Sequence, residues 1–216
     1  MKSSSWTSFN ILVTGIGGQG VLLVSKVIAA AAMDRGLFAC RTESRGLSQR
    51  GGSVCSEVRF GWSELTPAIG TGEEDLIIAL DGLEAARMLP LLKKGGIMLA
   101  NLPVVIPSHF QRQPDFNETK RIGLEELVGH TLASHSNSIA VDFDGLVRAA
   151  ECATCLNSAL MGAANAFIPL PISSIRNSLM AHVKPQYAEQ NLRAFEVGQR
   201  VIETRGLESQ FEPISA

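Results

Sequence analysis

The chain has 216 residues and a mass of 23.1 kDa, with 45% apolar and 19% charged residues. That length and composition suit an α/β domain with a sizeable core and exclude a disordered chain or a coiled coil. Nineteen Lys and Arg stand against 21 Asp and Glu, so no basic footprint of a nucleic-acid binder is present. No apolar run reaches the roughly 18 to 20 residues of a membrane span, and Met1 to Ser8 lacks a signal-peptide apolar core, so the expected compartment is the cytoplasm.

Asn10 to Thr14 predicts a buried strand, because Ile11, Leu12 and Val13 form a continuous apolar run closed by glycine. A helix follows from Gly20, with Val21, Val24, Val27, Ile28, Ala31 and Ala32 at helical spacing and Gly36 as its stop. Leu37 to Glu43 predicts a second strand, and Ser44 to Ser53 a loop rich in glycine and arginine. Val54 to Phe60 alternates, with Val54, Ser56, Val58 and Phe60 on one face and Cys55, Glu57 and Arg59 on the other, and one face is expected to meet solvent or a partner. After a turn-rich stretch from Gly61 to Glu74, Asp75 to Leu80 predicts a fully buried strand ending at Asp81. Gly82 to Lys94 predicts a helix with lysines at its negative end, and Ile97 to Asn101 the next strand.

Pro103 to Asn117 predicts a loop or edge strand, since three prolines there withhold backbone donors. Ser138 to Val141 predicts a last short strand. Helices are expected over Phe143 to Glu151 and Leu156 to Phe167, then from an N-cap at Ser173 to Val183, and from Pro185 to the polar tail. Strands alternating with helices predict one three-layer α/β/α Rossmann-like domain spanning 1–216, with a mostly parallel sheet that leaves room for antiparallel strands. Residues 1–9 and 206–216 are expected to be flexible.

Gly15-Ile16-Gly17-Gly18-Gln19-Gly20 satisfies GxGxxG between a strand and a helix. Its backbone N–H groups and the helix dipole suit a phosphate. The same spacing also arises wherever a strand turns directly into a closely packed helix. Glu43, 23 residues after Gly20, lies where a ribose-binding carboxylate belongs, and Arg41 beside it would favour a 2′-phosphate. The loop from Ser44 to Ser53 carries Arg45, Ser48, Gln49, Arg50, Gly51 and Gly52, donors and backbone freedom suited to an anionic ligand or to a partner's polar surface.

Cys40, Cys55, Cys152 and Cys155 read as small buried residues in a reducing compartment. Cys152 and Cys155 have CxxC spacing, but no second such pair completes a metal site. His109, His130, His135 and His182 lie far apart and form no HExxH.

Taken together, these motifs resemble the gamma-type subunit of the thiamine-diphosphate 2-oxoacid:ferredoxin oxidoreductases, and within that family the beta subunit of its indolepyruvate branch. The resemblance spans nearly the whole chain. It is carried by Gly15-Ile16-Gly17-Gly18-Gln19-Gly20 and by Ser48-Gln49-Arg50-Gly51-Gly52-Ser53-Val54, where Gly46-Leu47 stands in place of the usual Gly-Met. Asp75 to Leu80, Lys94-Gly95-Gly96, Asn101, Asn157 with Gly162, and Asn191 to Gly198 add to it. The stretch Glu151 to Cys155 departs from the pattern, and Pro107 to His135 carries no motif.

The resemblance implies an accessory subunit, inactive alone, of an oxidoreductase that decarboxylates a 2-oxoacid, an aryl pyruvate foremost, to an acyl-coenzyme A while reducing ferredoxin. It implies that thiamine diphosphate, Mg2+ and 4Fe-4S clusters belong to a large partner subunit, that ferredoxin is engaged only indirectly, and that coenzyme A is the co-substrate. It assigns this chain no catalytic or metal-binding residue. Its ligand-binding or interface candidates are Gly15, Gly17, Gly18, Gln19, Gly20, Arg45, Ser48, Gln49, Arg50, Gly51, Gly52, Asn101 and Asn157. Isolated, the chain is expected to dimerise through the surface meant for its partner. A free-standing NAD(P)-binding oxidoreductase and a non-enzymatic nucleotide-binding module are the alternatives.

Overall fold

Continuous apolar runs build strands that are covered on both faces, and two of them set the centre of this molecule. Strands β1 (Ser8–Ile16) and β4 (Glu74–Ala79) are buried along almost their whole length. They lie at the middle of a six-stranded sheet of order β2-β3-β1-β4-β5-β6, completed by β2 (Phe38–Arg45), β3 (Ser53–Gly61), β5 (Leu92–Asn101) and β6 (Ser138–Val141). The computed structural model describes residues 6–45, 52–106, 111–112 and 116–207.

The pairs β1·β4, β4·β5 and β5·β6 are parallel, whereas β3 is antiparallel to both β1 and β2. Strand β2 therefore runs with β1, and β3 alone opposes the rest. The mixed sheet agrees with the alternation seen in Val54 to Phe60. Ser56, Val58 and Phe60 are buried, while Cys55, Glu57 and Arg59 are half-buried on the other face.

Helices cover both faces, as expected of three layers. On one face Leu12, Ile77, Met98 and Ala100 meet Ala85 of α2 (Gly82–Met88) and Val128 and Leu132 of α3 (Glu118–Ala133). On the other, Ile11, Val13, Leu76, Ile78 and Leu99 meet α1 (Val21–Met33), α4 (Phe143–Ala149), α5 (Leu156–Ala164), α6 (Ile172–His182) and α7 (Ala188–Thr204).

Several boundaries differ from expectation, each for a local reason. Ser8 and Phe9, expected in a flexible leader, belong to β1. Phe9 is buried, and Trp6 packs its ring 5.8 Å from Phe60 and 6.0 Å from Trp62. The helix expected to Lys94 ends at Met88. Pro90 breaks the ladder, a 3-10 turn spans Leu89–Leu91, and Lys93 and Lys94 lie in β5 rather than at a helix end. Asp75 takes the Lys93 ammonium in an ion pair.

Helix α3 falls in the stretch without motif. Its side chains are mostly polar, and only Val128 and Leu132 are buried, too sparse a stripe to read. Asn117, whose Oδ1 accepts from Lys120 N at 3.0 Å, is its N-cap. Ser173 is not a cap, because α6 already begins at Ile172 behind Pro171, with no side-chain cap. Helix α4 stops at Ala149, and Glu151 follows it with φ 56°. The helix expected to Phe167 is α-helical to Ala164 and 3-10 from Asn165 to Phe167. Residues 102–106 after β5 are loop rather than strand, with Leu102 N donating to Val141 O at 2.9 Å and Pro103 O accepting from Gly82 N at 3.0 Å.

Candidate functional site

In an open α/β sheet, ligands favour the carboxyl ends of strands where consecutive crossovers leave to opposite faces. Here that point lies between β1 and β4, because α1 packs on one face and α2 on the other. The glycine turn sits there. Gly15 has no room for a side chain, since a Cβ would lie 2.7 Å from Gln19 Oε1 and 3.0 Å from Leu80 Cβ. Gly18 and Gly20 have φ of 103° and 92°, the left-handed region that L side chains avoid. A Cβ on Gly20 would also press on Asn157 Nδ2 at 2.3 Å.

Gln19 closes the crevice at the switch point. Its Oε1 accepts from Ile16 N at 2.7 Å, and its Nε2 donates to Leu80 O at 3.2 Å. Leu80 O takes a second bond from Asn101 Nδ2 at 3.2 Å, so one carbonyl at the end of β4 joins the ends of β1 and β5. The rest of Asn101 is equally committed. Its Nδ2 also donates to Asp144 at 2.9 Å, and its Oδ1 accepts from Phe143 N and Asp144 N, at 3.0 and 3.3 Å, holding the start of α4.

The returning loop comes back to the same place. Gly17 N donates to Gly52 O at 3.0 Å, and Ile16 and Gly15 register with Ser53 and Val54 of β3. Ser53 Oγ donates to Glu84 Oε2 at 2.6 Å, and Glu84 Oε1 accepts from Arg87 at 2.8 Å. Asp81, fully buried, caps α2 by accepting from Leu83 N and Glu84 N at 3.0 and 3.1 Å, and its other oxygen accepts from Val105 N at 2.6 Å. Burial pushes the Asp81 carboxyl above its ordinary range, and these three backbone donors oppose that shift.

Of the residues singled out from sequence, the structure brings together Gly15, Gly17, Gly18, Gln19, Gly20, Gly52 and Asn157, with Asn101 two strands away. Arg45 ends β2. Ser48, Gln49, Arg50 and Gly51 lie outside the described residues, as does His109. Sequence reading passed over Asp81 and Glu84 as functional groups. Their signal was an Asp-x-x-Glu pattern opening a helix, the spacing of a capping box.

The ribose carboxylate expected at Glu43 is not where a dinucleotide needs it. Strand β3 is inserted between β1 and β2, so Glu43 lies two strands from the glycine turn, and its carboxylate pairs with Arg41 at 3.0 Å. Arg41 also donates to Leu22 O at 3.2 Å and to Ser25 Oγ at 3.3 Å, so it is held against α1 rather than presented to a 2′-phosphate. One of the turn's phosphate-cradling donors, Gly17 N, is already taken by Gly52 O.

What remains open is backbone. Gly17 and Gly18 are exposed, with empty space where a Gly18 side chain would be. Such a rim can bind a polar surface or an anion, and the hydrogen-bonded amides beneath it keep its shape. The residues do not fit a metal cluster. Among the described residues no group of three His, Cys, Asp or Glu could hold an ion. Cys152 and Cys155 are buried in the core, and burial pushes the Cys152 thiol up, against the thiolate a ligand or nucleophile must be. Burial likewise raises Cys40 on β2.

Comparison with known proteins agrees with this geometry. The solved gamma subunit of a keto/oxoacid ferredoxin oxidoreductase from Geobacter sulfurreducens shares the fold, with TM-score 0.64 and 22% identity over 91% of this chain and 99% of that one. The indolepyruvate oxidoreductase subunit IorB of Pyrococcus horikoshii is 31% identical over 196 residues, covering 88% of this chain and 94% of that protein. The subunit IorB of Thermococcus kodakarensis is 32% identical with the same coverage. The family model described as pyruvate ferredoxin/flavodoxin oxidoreductase matches residues 10–201. A turn closed by its own glutamine and braced by the strand that follows the Ser-Gln-Arg-Gly-Gly loop is thus found in a chain that belongs to the pyruvate ferredoxin/flavodoxin oxidoreductase family.

Proposed function

We propose that this chain is the small, accessory subunit of a 2-oxoacid:ferredoxin oxidoreductase acting on an aryl pyruvate such as indolepyruvate. The observation that carries this reading is the match along 88% of the chain, at 31%, to a curated subunit of the same length class. The locked glycine turn supports it, because a rim with no catalytic pair and no free carboxylate among the described residues suits assembly better than independent chemistry. The reaction of the complex is 2-oxoacid plus coenzyme A plus two oxidised ferredoxins, giving acyl-coenzyme A, CO2, a proton and two reduced ferredoxins. Thiamine diphosphate, Mg2+ and 4Fe-4S clusters belong to a large partner subunit and supply the carbanion and electron-transfer chemistry. This chain's part is to cover that subunit's reactive centre and to offer Gly17, Gly18 and the loop from Arg45 to Gly52 to the partner or to the acceptor's phosphates. The complex is expected to work in the cytoplasm.

The test is reconstitution. The chain by itself should leave viologen oxidised in the presence of indolepyruvate and coenzyme A, and the large thiamine and iron-sulfur subunit, co-expressed with it, should co-purify and restore reduction. Turnover by the isolated chain, or full activity of the large subunit without it, overturns the proposal. In the assembled enzyme, replacing Gln49 and Arg50 together by alanine should raise the KM for coenzyme A severalfold. An unchanged KM would leave the loop an interface only.

A further inference from the structure

The two ends of the sheet differ. At one end β6 is four residues long, whereas at the other β2 runs for eight and pairs with β3 from Phe38 to Arg45 without a register shift. Proteins blunt such long edges with proline, lysine, bulges or short strands. Strand β2 has none of the four, and its charges are of both signs. Two side-chain bonds show which way its backbone points. Ser56 Oγ donates to Thr42 O at 2.9 Å and Cys40 Sγ to Arg59 O at 3.6 Å, so Thr42 and Cys40 turn their backbone groups to β3. By the alternation of antiparallel pairing, Ala39, Arg41 and Glu43 turn their N–H and C=O groups outward, where the sheet order ends.

These outward groups can meet their own copies about a two-fold axis, and charge selects the register. An axis at Arg41 sets that arginine against itself, and an axis at Glu43 sets that carboxylate against itself, both unfavourable. An axis at Thr42 sets Arg41 opposite Glu43 and Glu43 opposite Arg41, and it keeps the outward residues hydrogen-bonded to one another. Within one chain Arg41 and Glu43 share a face and pair at 3.0 Å, so the two pairs come together across the axis as a network of four charges. The strand is thus complementary to itself in one register. Strand β3 separates this edge from β1 and its glycine turn, so pairing here does not use the rim at Gly17 and Gly18.

We infer that two copies of this chain join edge to edge through β2, antiparallel and with Thr42 opposite Thr42 of the second copy, so that two six-stranded sheets become one continuous sheet. The inference is independent of the proposed activity, because association is read without turnover. Sedimentation of the full chain at micromolar concentrations should give a species of twice 23.1 kDa. Arg41→Glu and Glu43→Arg each set like charges opposite one another, and each alone should raise the dimer Kd by roughly tenfold or more. Mixing these two single variants makes every opposed pair unlike again and should restore dimers, a rescue that damage within one chain cannot produce. Ala39→Pro removes an outward N–H, leaves the β2·β3 ladder intact, and should give a monomer that melts close to wild type. A wild-type chain that stays monomeric, single variants that dimerise as wild type does, or a mixture that stays monomeric would each overturn the inference. A monomeric wild type whose Ala39→Pro variant no longer co-purifies with the large subunit would give the edge to that subunit and overturn it as well.

Discussion

Gln19 shows how one side chain can decide what a motif means. Its carbonyl and amino ends tie Ile16 N to Leu80 O across the switch point, so the place where a dinucleotide would lie between β1 and β4 is filled by the protein itself. A second residue carries a pH consequence. Glu74, at the start of β4, is buried, and its Oε2 has no hydrogen-bond partner among the described residues. Burial pushes its carboxyl up to about 8, Glu57, Asp75 and Glu73 push the same way, and Arg59 opposes them. An acid whose folded pKa is raised stabilises the fold while protonated. That contribution is complete below about 4.5, the ordinary value, and is lost as pH rises through about 8. Between these limits the loss approaches roughly 1.4 kcal/mol per pH unit at most. Urea titrations at pH 5 and pH 8 should therefore show wild type losing stability over this interval and Glu74→Gln losing markedly less. Parallel curves for the two proteins would contradict this account.

At the scale of elements, the pairing of α5 with α7 depends on the absence of two side chains. A Cβ on Gly162 would fall 1.9 Å from Phe195 O, and one on Gly198 would fall 1.8 Å from Ala159 O. Neither carbonyl can move without its helix. Gly162→Ala should thus lower stability by about 2 kcal/mol or more, the upper range for overpacking, and thermal denaturation should show it as a fall of roughly 5 °C or more. Gly123→Ala on α3, where nothing lies within 4 Å, is the control and should be neutral or slightly stabilising. Equal melting temperatures for Gly162→Ala and wild type would mean that the two helices can separate without cost.

Elements were legible where their signal was local. The apolar runs of β1 and β4, the helical stripe of α1 and the alternation of β3 were all readable. Gly82 to Lys94 was misread because helix and strand shared one apolar run with a proline inside it, and only pairing with β4 separates them. Helix α3 was invisible because its support is its cap and two buried residues.

At the scale of the whole molecule, strand order outranks motif. GxGxxG and Glu43 have the spacing of a dinucleotide fingerprint, but β3 enters between β1 and β2 and carries Glu43 away from the turn. NADH or NADPH at millimolar concentration should therefore leave the melting temperature within about 1 °C. A dinucleotide at a hundred times its Kd would stabilise a chain of this size by about 2.7 kcal/mol, or some 5 to 10 °C, and a shift of that size would restore the rejected reading.

The amino-acid sequence by itself determined the layered α/β class, the strand-turn-helix around the glycines and the family, because buried runs, left-handed glycines and paired loop motifs are properties of neighbouring residues. Only the tertiary structure decided that the turn is closed by Gln19, that Asn101 is spent on capping α4, and that Glu43 is remote. Those facts depend on which strand lies beside which and on how helices distant in the chain come to rest against one another. Long-range packing sets both, and no local pattern encodes it.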